Sequence, residues 1–193
     1  IPWWTTDIGG FYGGDPDDPT FRELIIRWFQ FGVFSPIFRL HGNRIYKGEK
    51  PNPNDPEDPM NLVGGPNEAW SYGEETYEII KELLFLREKM KPYIMKQMKK
   101  AHEEGAPIMR PMFYDFPEDE KVYEIGDQYM FGPDILVTPV TEKGAIKRKV
   151  YLPKGAKWKE FSGDKEYEGG RWIEFDAPVN KIPAFVKNEA EVF

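Results

Sequence analysis

The sequence predicts an α/β segment followed by an all-β domain with the character of an antiparallel β-sandwich, and three observations lead there. The first 42 residues run in the order strand, loop, helix, strand, loop. A long helical pattern then leads up to Gly105. Beyond Gly105, short β-type runs alternate with turns at the spacing of a sandwich.

Each element has a local reason. Residues 1–4 are a short apolar run with two adjacent Trp, which meets Asp7 and then Gly9-Gly10, so it reads as a strand opening into a loop. Residues 13–19 are acidic and turn-rich. Thr20 and Glu23 have the spacing of a capping box, and Phe21, Leu24, Ile25, Trp28 and Phe29 give the following helix an apolar face that Gly32 is expected to end. Residues 33–40 are a second short apolar run, closing on Arg39-Leu40-His41-Gly42. Residues 43–70 are rich in Pro, Asn, Asp and Gly, and a structureless loop of that length is either functional or disordered. Ser71 and Glu74 repeat the capping-box spacing before a helical pattern that runs to Glu104, with Tyr77, Ile80, Leu83, Leu84 and Met90 on its apolar face. Pro92 should kink or split that helix, and Gly105 should close it. The β-type runs cover residues 108–116, 128–140, 146–152, 158–161, 171–175 and 182–186, and Gly169-Gly170 between two of them is a hairpin signal. The expected division is therefore 1–104 and 105–193, with no internal repeat.

Composition narrows the function classes. A chain of 193 residues and 22.6 kDa is one large domain or two small ones, long enough to bury a core without staples. With 26 basic and 33 acidic residues the net charge is −7, which argues against a nucleic-acid phosphate grip. The absence of cysteine excludes disulfides, thiolate metal sites, Cys nucleophiles and iron–sulfur clusters, and two histidines cannot build a His-rich metal site. No apolar stretch is long enough to span a membrane, and no signal peptide is visible. Aromatics make up 16% of the chain, beside 18 Gly and 18 Pro. That mixture suits a loop-rich protein, and its rings serve either a large aromatic core or a surface that covers the C–H face of a sugar.

The candidate site lies where the two early strands end. Asp7 follows one, while Arg39 and His41 follow the other two residues apart, so their side chains share a side if the segment stays extended. A carboxylate, a guanidinium and an imidazole flanked by Trp3, Trp4 and Phe11 suit recognition of a neutral sugar: hydroxyls exchange hydrogen bonds with the polar groups and the rings stack. The plainer alternative is a structural Asp7–Arg39 ion pair and a satisfied, buried His41. His102 reads as a cation complementing a helix carboxyl end. Glu118, Asp119 and Glu120 read as an exposed turn, as does Ser162-Gly163-Asp164. The paired glycines 9–10 and 13–14 make no phosphate loop, since no GK[ST] follows.

These residues resemble those of a known family. WWTTDIGGF at residues 3–11 resembles the segment around the seventh barrel strand of glycoside hydrolase family 31. Arg27-Trp28, the run Gly32-Val33-Phe34-Ser35-Pro36 and Arg39-Leu40-His41-Gly42 resemble its next helix and eighth strand. GAPIMRP at 105–111, DQYMFG at 127–132, LVTPV at 136–140 and YLP at 151–153 resemble its proximal C-terminal β-domain. The resemblance implies the last strands and helices of a (β/α)₈ TIM barrel followed by a C-terminal antiparallel β-sandwich. It implies a retaining α-glycosidase of α-xylosidase or α-glucosidase type that needs no metal or redox cofactor. Asp7 then matches an aspartate lining the −1 sugar subsite, His41 a sugar-binding histidine, Arg39 the arginine before it, and Phe11 an aromatic of the pocket wall, with Trp4 beside them. TTDIGGF and RLHG look most like the α-xylosidase branch.

One departure limits that reading. Retaining glycosidases use two carboxyl groups about 5–5.5 Å apart. The family's two catalytic aspartates come from motifs that precede the WWTTDIGGF-like segment, and neither is present here. Ser162-Gly163-Asp164 is superficially similar to the acid/base motif but falls in the β-domain. The chain is therefore expected to be the C-terminal part of a larger α-glycosidase, begun inside a barrel strand and inactive alone. Its expected partners are an α-glycoside or oligosaccharide substrate and the missing N-terminal barrel portion. Neither nucleic acid nor membrane is expected, and unpaired strand edges with bare helix faces make self-association into an oligomer an expectation. The compartment is open, with the cytoplasm favoured. The alternative is a stand-alone carbohydrate-binding or structural module.

Overall fold

Three layers are stacked in the computed structural model, which describes residues 2–48, 53–188, 190 and 192. The outer layer is helical: α1 (Pro19–Val33), α2 (Glu74–Lys89) and α3 (Lys91–Glu104). The middle layer is an antiparallel sheet of six strands in the order β1-β2-β3-β8-β5-β6, formed by Met109–Arg110, Tyr129–Phe131, Ile135–Val137, Ala184–Lys187, Lys157–Glu160 and Glu166–Glu168. The third layer is a two-stranded ribbon of β4 (Lys147–Leu152) and β7 (Arg171–Asp176).

Strand alternation explains why the sheet can sit in the middle. Met130, Leu136 and Phe185 stand in register across β2, β3 and β8, and all three face the ribbon, in one cluster with Val150, Leu152, Trp158 and Phe175. Their neighbours Phe131, Ile135, Val137 and Ala184 point the other way, into a cluster with Ile25, Phe29, Ile80 and Tyr93 of the helices. Both faces are covered, so every residue of β3 is buried and the strand reads as a continuous apolar run.

Two arginines fasten the helices. Arg87 of α2 donates to the carbonyls of Val33 at 2.6 Å, Ser35 at 2.7 Å and Pro36 at 2.9 Å. These oxygens lie at and just past the carboxyl end of α1, where a helix leaves its carbonyls without internal partners. Burial lowers the Arg87 guanidinium to about 10, which leaves it charged at neutral pH. Arg27 of α1 donates to the carbonyls of Ala145 and Ala177 at 3.1 and 2.7 Å, and Gln30 donates to Val179 at 2.7 Å. The helix is thereby joined to the loops that flank the ribbon.

Several local expectations are corrected. Residues 2–4 form no strand, and Ile1 lies outside the described residues; only isolated parallel bridges, Ile8 with Leu40 and Tyr12 with Asn43, join the two early segments. Asp18, not Thr20, caps α1: Pro19 occupies the first helical position, Asp18 accepts from the Thr20 amide, and Glu23 instead accepts from the Gly144 amide. Gly32 does not end α1. It lies inside the helix because a Cβ there would meet Ile8 at 2.5 Å and Phe38 at 3.0 Å. Ser71 forms no capping box; it falls in a 3-10 turn (Ala69–Tyr72) and donates to Glu68, and Gly73 precedes α2. A second 3-10 turn, Pro59–Leu62, interrupts the long loop, whose residues 49–52 lie outside those described.

Pro92 does split the helical pattern, sitting in the first turn of α3, and Gly105 closes α3 in the left-handed region at φ 72°. Ile80, Leu83 and Met90 are buried as expected, whereas Leu84 is exposed. The run at 108–116 yields only β1 before a 3-10 turn at Met112–Tyr114. Gly169-Gly170 is not a hairpin, because β6 pairs with β5 and β7 with β4. The two glycines carry the chain from one sheet to the other, and a Cβ at Gly169 would meet the Pro153 oxygen at 2.1 Å. Asp119 is buried rather than exposed: it accepts from the Tyr151 hydroxyl and the Lys154 amide. Ser162-Gly163-Asp164 is a turn and His102 is exposed.

Two predictions follow from this framework. Arg87→Ala should destabilise the chain by about 3 kcal/mol in urea unfolding, because three carbonyls lose their donor; a change under about 0.5 kcal/mol would refute the clamp. Burial and the Asp119 carboxylate push the Tyr151 phenol up from 10.0 to about 12. Between those values the unfolded chain has released a proton that the fold still holds. The Tyr151 contribution should therefore be fully present below pH 10 and be lost from 10 to 12, so stability over that window should fall less steeply in Tyr151→Phe. An equal slope in both proteins would remove Tyr151 as the cause.

Candidate functional site

The two early segments run side by side and in parallel. The Ile8 amide donates to the Arg39 carbonyl at 3.1 Å, Ile37 to Trp4 at 3.1 Å, Asn43 to Phe11 at 3.2 Å and Ile45 to Gly14 at 3.1 Å. Between them stands α1, whose Ile25 and Phe29 lie in one buried cluster with Ile8. The Trp28 indole also donates to the Thr6 hydroxyl, at 2.6 Å.

This arrangement brings four of the sequence-predicted residues into two contacting pairs. Asp7 Oδ1 lies 3.3 Å from Arg39 Nε, with both side chains partly exposed. The Phe11 and His41 rings lie 5.5 Å apart at a tilt of 46°. Trp4 and Phe11 are exposed, at 44% and 62% of their surface. His41 is half-buried, so the alternative of a buried histidine does not hold, whereas its other half, an Asp7–Arg39 ion pair, is present. An exposed ion pair contributes little to stability. Its chemical value is a carboxylate acceptor and a guanidinium donor, both partly open to solvent. One carboxylate suits recognition; double displacement at a sugar needs two.

What holds these segments is a residue that the sequence reading did not single out. Arg44 has no accessible surface. It donates to the carbonyls of Gly9 at 2.7 Å, Gly13 at 2.8 Å and Gly10 at 3.0 Å, and to Asn67 Oδ1 at 2.9 Å. Asn67 accepts also from the Tyr72 hydroxyl and donates to the Gly42 carbonyl at 3.0 Å. Glycine is required at 42, where φ is +101° and a Cβ would meet the Phe11 oxygen at 2.1 Å. The available signal was the cluster of glycines at 9, 10, 13 and 14. Turns so rich in glycine leave carbonyls without ladder partners, and a nearby arginine is the side chain with enough donors to serve several.

Comparison with known proteins assigns the fold. The family profile described as the glycosyl hydrolases family 31 TIM-barrel domain matches residues 1–97, and that of the family's C-terminal domain matches 105–190. The chain belongs to glycoside hydrolase family 31. An alpha-xylosidase of Saccharolobus solfataricus is 37% identical over 98% of this chain and 23% of its own length. Alpha-glucosidase 2 of Bacillus thermoamyloliquefaciens is 31% identical over 96% of this chain and 21% of its own. Among solved structures, a GH31 alpha-xylosidase from a soil metagenome complexed with xylose superposes with a TM-score of 0.89 and 51% identity, over all of this chain and 28% of that one. A Flavobacterium johnsoniae GH31 dextranase complexed with glucose gives 0.82 and 36%, over 98% of this chain and 21% of that one. The chain thus spans about a quarter of the length of these family 31 relatives, as part of the barrel plus the β-domain.

The hub suggests a direct test. Arg44→Met leaves the carbonyls of Gly9, Gly10 and Gly13 without their donor, and should cost about 3 kcal/mol. Arg44→Lys should recover only part of that, since an ammonium cannot match the planar fork. Unfolding curves for both variants that overlay the parent would show the glycine turns to be held by something else.

Proposed function

We propose that this chain is the C-terminal segment of a retaining α-glycosidase acting on terminal α-linked xylose or glucose, divided into a barrel portion at 1–104 and a β-domain at 105–193. Asp7, Arg39, His41, Phe11 and Trp4 form part of the sugar pocket, binding and orienting the substrate while carboxyl groups outside this chain carry the chemistry. The observation that carries the reading is the paired arrangement itself: a carboxylate against a guanidinium, and an imidazole against an exposed ring, on two neighbouring parallel segments of a family 31 chain. Donors and acceptors beside open rings are what a neutral pyranose requires.

The likeness of the whole chain to an alpha-xylosidase complexed with xylose supports xylose as the sugar. Likeness to an alpha-glucosidase and to a dextranase complexed with glucose keeps glucose beside it. Exposed apolar side chains on the helices, Leu84, Phe85 and Met95, support a further partner, the remaining barrel portion, and favour association of the isolated chain. The reading carries no cofactor and a cytoplasmic setting.

The isolated chain should show no turnover of aryl α-xyloside or α-glucoside, and co-expression with the preceding barrel portion of a family 31 relative should restore it. In the restored enzyme, Asp7→Asn should raise KM and lower kcat/KM by about 100-fold, through loss of a charged hydrogen bond. Turnover by the purified chain that Asp7→Ala abolishes would overturn the division of labour. Unchanged kinetics in Asp7→Asn would remove Asp7 from the pocket.

A further inference from the structure

We propose that a cleft on the β-domain, remote in the chain from Asp7 and His41, is a second, non-catalytic site for a neutral oligosaccharide. The cleft has a volume of about 590 Å³ and lies between the 115–119 loop, the turn after β4 and the end of β8. That volume is in the range of small-ligand sites. Phe116 forms an apolar wall, and Glu118, Asp119, Lys154, Lys187 and Asn188 supply polar groups. The space beside the turn is open: a Cβ at Gly155 would meet no atom within 4 Å.

The charge pattern selects the ligand class. Asp115 is taken by Arg110 at 2.7 Å, and Lys157 by Glu168 at 3.0 Å. Asp119 already accepts from Tyr151 and from the Lys154 amide. Among the described residues, the Lys154 ammonium has no carboxylate partner, and the Lys187 ammonium rests 5.0 Å over the Phe116 ring. Asn188 Oδ1 is buried with no hydrogen-bond donor among them. An anion entering here would face Glu118 and Asp119, and a cation would face Lys154 and Lys187. A hydroxyl-rich neutral ligand uses both signs, because each hydroxyl donates and accepts.

A second observation extends the same surface. Phe113 and Tyr123 stack with ring centres 5.2 Å apart and planes within 6°, yet stay 43% and 56% exposed. The Tyr123 hydroxyl donates at 3.2 Å to the carbonyl of Pro117, a residue lining the cleft, so pair and cleft share one loop. Exposed parallel rings offer flat faces to the C–H side of a sugar. A chain of sugar units can therefore lie with one unit in the cleft and the next on the rings. This site does not depend on the barrel chemistry proposed above.

The test is a titration of the isotope-labelled chain with maltotriose or isomaltotriose as probes and sulfate as the control, followed by amide chemical shifts. The trisaccharides should move amides at 113–123, 154–157 and 187–188, with sulfate giving no response there. Asn188→Ala and Phe113→Ala should each weaken the affinity about five-fold. Phe113 is exposed enough that its loss leaves the fold intact, which thermal melting verifies. Four results overturn the site: no shift at these amides at millimolar sugar, shifts confined to residues 4–11 and 39–43, shifts by sulfate alone, or unchanged affinity in the folded Phe113→Ala protein. Shifts at 4–11 and 39–43 would support the barrel pocket even as this second site failed, so the two readings are separated.

Discussion

Arg44 answers a requirement that the glycine turns create. Residues 9–14 turn through four glycines at positive φ, and such a path removes their carbonyls from any ladder. Buried carbonyls need donors, and a buried guanidinium needs acceptors; each is costly alone and stable with the other. Gly9, Gly10 and Gly13 provide the acceptors and Arg44 the donors, while Asn67 and Tyr72 extend the contact to the turn before α2. Asp7 and Phe11 lie directly against this hub in sequence, and Arg39 and His41 lie on the extended segment that carries it. The positions of the site side chains follow from how the backbone beneath them is satisfied.

The same solution recurs where the helices end and where the layers meet. Arg87 serves the carbonyls past α1, and Arg27 those of the 145 and 177–178 loops. In each case a long planar cation reaches backbone oxygens that no regular element can use. Carboxylate partners are few at these places, so the fixing is insensitive to salt, unlike the exposed pair of Asp7 and Arg39.

What the sequence disclosed was local. Pro92 in a first helical turn and Gly105 at a left-handed cap act through their own φ angles, and both were legible. Short β-type runs between turns located most strands, because covering one or both faces of a sheet leaves a composition trace. Motif resemblance, with the spacing of two between Arg39 and His41, marked the candidate residues, and the fold pairs Asp7 with Arg39 and Phe11 with His41. The failures were long-range. Gly169-Gly170 carries the sequence of a hairpin, but its partners are decided by Pro153 and Ala156, whose oxygens leave room only for glycine. β6 is Glu-Tyr-Glu, with Tyr167 alone facing inward, too short to show a period. Asp119 looked like one of three surface acids, and its burial depends on Tyr151, 32 residues away.

The early segments are joined differently from the strands of the sheet. Each is held by single bridges, not by a ladder, among the described residues. A strand in a closed barrel has neighbours on both sides. Here the 4–14 and 37–45 segments have each other, with Arg44 pairing onward to Gly65. Their alignment is fixed by the arginine hub and by the packing of Ile8 in one cluster with Ile25 and Phe29 of α1. The β-domain is different: its six strands are paired in one antiparallel sheet and its two faces are covered by helices and ribbon. The candidate residues Asp7, Arg39 and His41 are thus carried on segments joined by bridges, whereas the sheet is joined by full ladders.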